Sequence, residues 1–83
     1  MITGPQIRAA RALLSIDQRE LARLSGLSVP TVQRMEACDG SVRAVVDSLE
    51  KVMNALSAAG VELIVEGAPS QGLGRGVRLI ERG

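Results

Sequence analysis

A chain of 83 residues is one domain near the lower end of the size that folds alone, so oligomerisation is an expectation from the outset. Hydrophobic residues at 46%, charged residues at 23% and a formal charge of +1 point to a globular class rather than to a disordered or strongly basic tail. With no histidine, one cysteine (Cys38) and no Phe, Tyr or Trp, the composition argues against a Cys/His metal cluster, an intrachain disulfide and a stacking platform for unpaired bases.

The longest uncharged stretches, 24–33 and 52–61, fall well short of the roughly 20 apolar residues of a membrane span, and no signal-peptide pattern opens the sequence. A cytoplasmic protein without a membrane partner is therefore expected. Charge is placed unevenly. Residues 1–43 carry six arginines against four acids, net +2, which leaves −1 for the remainder. That bias alone is too mild to name a nucleic-acid binder.

Thr3 followed by Gln6 reads as a capping box, with Pro5 in the first turn of helix 1. Ile7, Ala10 and Leu14 recur at helical spacing, with Leu13 beside them, and define a buried stripe. Arg11 lies on that stripe and needs a partner. Asp17 with Glu20 forms a second box ahead of a helix over about residues 18–25, whose apolar side is Leu21, Ala22 and Leu24. Gly26 closes it, Ser28 caps the next helix, and Pro30 enters that helix's first turn. At 100° per residue, Ser28, Val32 and Met35 share the inward side of this third helix. Pro30, Arg34 and Ala37 point away, flanked by Thr31 and Gln33. Two short helices joined by a turn this tight cross at a large angle, so that the second can project one free side, as in a helix-turn-helix. Glu36 falls toward the inward side. A lone buried carboxylate is costly, so it is expected to pair with Arg11; the alternative is that both side chains reach water along their stems.

The pattern breaks over residues 38–46, a loop with a turn at Asp39 and Gly40 and with Arg43 outward. Asp47 and Glu50 suggest a third capping box, followed by an amphipathic helix with Leu49, Val52, Met53, Leu56 and Ala59, ending at Gly60. The period then changes. "VELIVE" (61–66) and "GVRLIE" (76–81) are β-branched and alternate by two around the loop "GAPSQGLGR", which predicts a β-hairpin. Val61, Leu63, Val65, Val77 and Leu79 would face the helices, with Ile64 and Ile80 among Glu62, Glu66, Arg78 and Arg82 on the other side. A lone two-stranded ribbon is marginal in water, so it either pairs with a second copy or packs on its own helices. The expected architecture is mainly α with a small β element. A four-helix helix-turn-helix body occupies residues 1–60, and a C-terminal β-hairpin over 61–83 is a candidate dimerisation element.

Residues 18–36, with Gln18, Leu21, Ala22, Gly26, Leu27, Val32, Met35 and Glu36 at the characteristic spacing and Arg11 upstream, resemble the helix-turn-helix of the Cro and phage-repressor type. The resemblance covers about residues 3–59. It implies an Arg11–Glu36 bridge, a phosphate contact from Gln18 and base reading from Val29, Pro30 and Arg34. Val29 and Pro30 depart from the polar residues common there. They can touch a thymine methyl but make no bidentate hydrogen bond, so direct readout would fall on Arg34 with help from Thr31 and Gln33. Arg19, Arg23, Ser28 and Arg43 complete the candidate phosphate contacts, although Arg19 and Arg23 also suit a simple solvated surface.

The expected function is a sequence-specific transcriptional regulator, a dimeric repressor whose partner is double-stranded DNA. A protein partner bound through the C-terminal segment, as in an antitoxin that also binds its own operator, is the competing expectation. No cofactor and no enzymatic role are expected, because the Gly72, Gly74 and Gly76 series is not followed by a helix that could hold a phosphate.

Overall fold

The computed structural model describes residues 2–44 and 46–80. It holds four helices: α1 (Gly4–Leu14), α2 (Gln18–Ser25), α3 (Val29–Glu36) and α4 (Val46–Ala58). α2 packs against both α3 and α4, and α3 also packs against α1. The core between them is aliphatic: Ile2, Ile7, Ala10, Leu21, Ala22, Val32, Met35, Val42, Val52 and Leu56.

Each helix of the first three begins on a side-chain oxygen. The Thr3 hydroxyl accepts from the Gln6 N–H while the Gln6 amide oxygen accepts from the Thr3 N–H, completing the capping box. Asp17 accepts from the Glu20 N–H at 2.8 Å, but the Glu20 carboxylate turns to Arg23 instead of returning to the cap. Ser28 accepts from the Thr31 N–H at 3.3 Å. The expected box at Asp47 does not form: α4 already starts at Val46, so Asp47 is inside its first turn and pairs with Lys51 one turn later.

Three helices stop in the same way. The residue after the last turn donates back three positions and the next one donates back five: Ser15 to Ala12 and Ile16 to Arg11, Gly26 to Arg23 and Leu27 to Ala22, Gly60 to Ser57 and Val61 to Leu56. This is the Schellman closure. It needs a left-handed residue, followed by an apolar one that folds back onto the helix. Ile16, Leu27 and Val61 fill that second place, and all three pack against the core. Gly26 takes its φ of +71° without cost, whereas Ser15 at +57° accepts the strain of a Cβ in the left-handed region. This shared stop answers why α2 ends and α3 restarts within three residues: Leu27, the apolar lock on α2, leads directly to the cap of α3.

The ion pair between α1 and α3 forms as expected. Arg11 donates from Nε to Glu36 Oε2 at 2.6 Å and from Nη2 to Oε1 at 2.8 Å, a bidentate fork, and from Nη1 to the Ile16 carbonyl at 3.3 Å. The Glu36 side chain is only 3% exposed and Arg11 21%, so the pair closes the base of α3 while one edge of the guanidinium stays near water. The Glu36 carboxylate, first by hydrogen bond, holds the Arg11 guanidinium above its already high pKa against the opposing effect of desolvation.

The chain start and the loop after α3 also meet, which the reading of 38–46 as a plain loop did not anticipate. Thr3 and Ser41 form an isolated antiparallel bridge, with Val42 N–H donating to the Ile2 carbonyl and Gly4 N–H to that of Gly40. Ile2 and Val42 are thereby buried. A Cβ on Gly4 would sit 2.1 Å from the Cys38 carbonyl oxygen and 2.7 Å from that of Glu36, so only glycine lets these backbones approach.

The C-terminal β-hairpin is not present. Among the described residues the single bridge at Thr3 is the only β pairing, and 61–80 is irregular chain with a turn at Glu66 and Gly67 and bends at Gly72 and Gly74. Its polar groups are engaged locally instead of in a ladder. Glu62 accepts from the Ser70 hydroxyl and from the N–H groups of Gln71 and Gly72, which hold its carboxylate below the usual range, the Gln71 N–H most strongly. Arg78 donates to the carbonyls of Val65 and Ala68. Gln6 Nε2 donates to the Ile64 carbonyl at 3.0 Å, and Val61 and Leu63 pack on the core. The first segment thus serves as a lid on the helices. Val77, Leu79 and Ile80 stay exposed, and Glu81 and Arg82 lie outside the described residues. Other apolar expectations also shift outward: Leu13, Leu24, Met53 and Ala59 are exposed, and buried Ser25 takes the inward place given to Leu24, its hydroxyl donating to the Leu21 carbonyl at 2.7 Å.

Two outcomes follow for stability in urea. Gly4→Ala should destabilise by about 3 kcal/mol, the upper end for overpacking, since backbone oxygens cannot yield as a side chain can. Arg11→Met should cost about 3 to 5 kcal/mol by stranding a buried carboxylate, and Glu36→Met less, because the surviving guanidinium reaches water. Equal costs for the two would contradict the asymmetric burial.

Candidate nucleic-acid interface

α3 is eight residues long and has two distinct rows. Val32, Met35 and Glu36 are buried, so one flank is fixed by apolar contact and by the ion pair. Pro30, Gln33 and Arg34 are exposed on the opposite flank, with Ala37 just beyond them, while Val29 and Thr31 are half-buried between the rows. Of the residues expected to read bases, Pro30, Gln33 and Arg34 are therefore exposed. Val29 is partly committed to the core, against which it packs. Ser28, expected on the inward side, is exposed at the helix start.

Arg34 is not loose. Its Nη2 donates to the Thr31 hydroxyl at 3.1 Å, and that hydroxyl lies 2.9 Å from the Ser28 hydroxyl. A helical side chain leans toward the N-terminus of its helix, so the guanidinium is carried back about one turn toward the start of α3.

The candidate phosphate contacts sit on other elements. Gln18 opens α2, and its amide nitrogen donates to Glu36 Oε1 at 3.0 Å. One of its two N–H groups is thus used to fix the side chain, and the second is left for an outside acceptor. Arg19 and Arg23 are exposed on α2. Arg23 is held by Glu20 through two bonds of 2.6 and 2.7 Å. That pair is solvent-exposed; the hydrogen bond, first, lowers the Glu20 pKa and raises that of Arg23. Exposed pairs of this kind are worth little, so the fork can be exchanged for a phosphate at small cost. Arg43 is exposed on the loop that pairs with the chain start. Sequence reasoning missed the role of Glu36 as a shared acceptor for Arg11 and Gln18; the signal was Gln18 placed directly after a capping Asp17, where its side chain can reach back across the turn.

Among the described residues no helix is long and apolar enough to cross a membrane. Residues 7–37 match the family model described as Helix-turn-helix, a span from the inner stripe of α1 to the C-cap of α3. No curated protein and no solved structure gives a match. The matched span contains the Arg11–Glu36 bridge, the α2–α3 turn closed by Gly26 and Leu27, and the exposed row of α3. Over residues 7–37 the chain is thus similar to the helix-turn-helix family, a similarity that supports a DNA-binding regulatory role in general.

Proposed function

We propose that the chain is a repressor that binds an inverted repeat in double-stranded DNA as a homodimer, laying α3 of each copy in the major groove. The observation that carries this reading is the division of α3 into an inner row held by the core and the ion pair and an outer row of Pro30, Gln33 and Arg34 left free. Two copies would set their recognition helices about 34 Å apart, one turn of DNA. Arg34 is the principal reader, its fork suited to the O6 and N7 of guanine, while Val29 and Pro30 offer apolar contact to a thymine methyl. Gln33 and Thr31 stand beside them. Gln18, Arg19, Arg23, Ser28 and Arg43 contact phosphates and set the register without reading sequence.

The exposed apolar residues Leu73, Val77, Leu79 and Ile80 favour a second reading, in which the C-terminal segment binds a protein partner as in an antitoxin. The two readings part on a simple comparison. A stoichiometric protein that co-purifies with the full chain and is lost in the Val77→Asp, Leu79→Asp variant supports the antitoxin-like reading. A dimer with no partner, unaffected in its DNA binding, supports the first.

Sites selected from random duplex DNA supply the probe for the DNA contacts. Arg34→Ala should weaken binding to the selected site by about 1 to 3 kcal/mol and relax preference at one base position. Arg43→Ala should weaken binding to selected and unrelated duplexes alike and lower the salt slope by about one. A selection profile unchanged in Arg34→Ala would remove the assignment of Arg34 as reader.

A further inference from the structure

We infer that Thr31 serves DNA recognition as a positioning residue for Arg34, through a hydroxyl chain Ser28–Thr31–Arg34 that presets the guanidinium before DNA arrives. The inference rests on the proposed reading of bases by Arg34 and assigns Thr31 a different part in it. Three residues spaced by three lie along one side of α3: the Ser28 and Thr31 hydroxyls are 2.9 Å apart, and Arg34 Nη2 donates to Thr31 Oγ1 at 3.1 Å. The first member is itself anchored, since Ser28 Oγ also accepts from the Thr31 N–H as the helix cap. Thr31 is the member that cannot wander. It is half-buried, and its β-branched side chain has few rotamers in a helix, with the hydroxyl already occupied on both sides. Arg34, exposed and with four side-chain torsions, would otherwise sample many orientations.

The geometry leaves the reading edge free. Thr31 takes one donor from Nη2 only, so most of the five N–H donors of the fork remain for a base. A hydroxyl accepting from Arg34 on one side and joined to Ser28 on the other has little left to offer a base edge of its own. The cost of ordering a long side chain at an interface is thereby met in the free protein, which is how preorganisation raises affinity.

The experiment titrates three variants against a duplex carrying the selected site and against one substituted at the base position that Arg34→Ala relaxes. Thr31→Val keeps shape and branching but removes the acceptor; Thr31→Ser keeps it. Preference at that position should fall about three- to tenfold in Thr31→Val, the range set by immobilising one rotamer-rich side chain, and stay near wild type in Thr31→Ser. Affinity for an unrelated duplex should not change in either, which separates positioning from a general loss of folding. If Thr31→Val instead alters preference at a different base position, or leaves the Arg34 position intact while Arg34→Ala relaxes it, the positioning role fails and the reading by Arg34 stands. If Arg34→Ala relaxes no position, both fail together.

Discussion

The constraint on which the rest of this structure depends is the buried Glu36 carboxylate at the inner base of α3. A carboxylate so placed must be met by donors, and it is met by three N–H groups: two from the Arg11 fork on α1 and one from Gln18 at the start of α2. One acidic group therefore fixes the positions of all three helices of the motif relative to one another. The aliphatic core supplies the attraction that brings the helices together, and it is tolerant of small rotations. The planar fork is not, because two parallel hydrogen bonds allow one orientation only.

That fixed orientation is what gives the outer row of α3 its meaning. With no aromatic residue in the chain, the core is built from Ile, Val and Leu with Ala10, Ala22 and Met35, and the short α2 and α3 have too few residues to be stable alone. They depend on side-chain caps at their starts, on the Schellman closure that ends α2, and on the pair beneath. The residues that remain outside, Pro30, Gln33 and Arg34, are then presented by a rigid rod, in the way recognition sites are best built. The bridge of the chain start with residues 40–42 adds a further tie, closing the loop that carries Arg43 and holding Gly4 against the end of α3.

The parts of this arrangement that could be read in the sequence are those whose cause is local or periodic. The Thr3–Gln6 box, the Ser28 cap, the stop at Gly26 and the pairing of Arg11 with Glu36 all follow from spacing within a turn or from two charges on apolar stripes. The positions that were misread depend on distant partners. A β-branched, alternating segment forms a strand only when another strand lies beside it, and the connection between 61–66 and 76–81 spends its polar groups on Glu62 and Arg78 instead. The pairing of Ile2 with Val42 joins segments far apart in sequence and short in pattern, so neither announces it. Leu24 illustrates a third cause: its place on the helical wheel is apolar, yet α2 turns Ser25 inward, because the serine hydroxyl can satisfy itself on the Leu21 carbonyl within the same helix.

The central claim is that the flank of α3 opposite Glu36 is the surface that meets duplex DNA. It is tested most directly by titrating isotope-labelled protein with a duplex carrying its selected site and following backbone amides and arginine Nε–H groups by NMR. The largest shifts should fall on Thr31, Gln33, Arg34 and Gln18, with Val32, Met35 and the Arg11 fork little changed. Shifts concentrated on α4 and residues 61–80, with the outer row of α3 silent, would contradict the account.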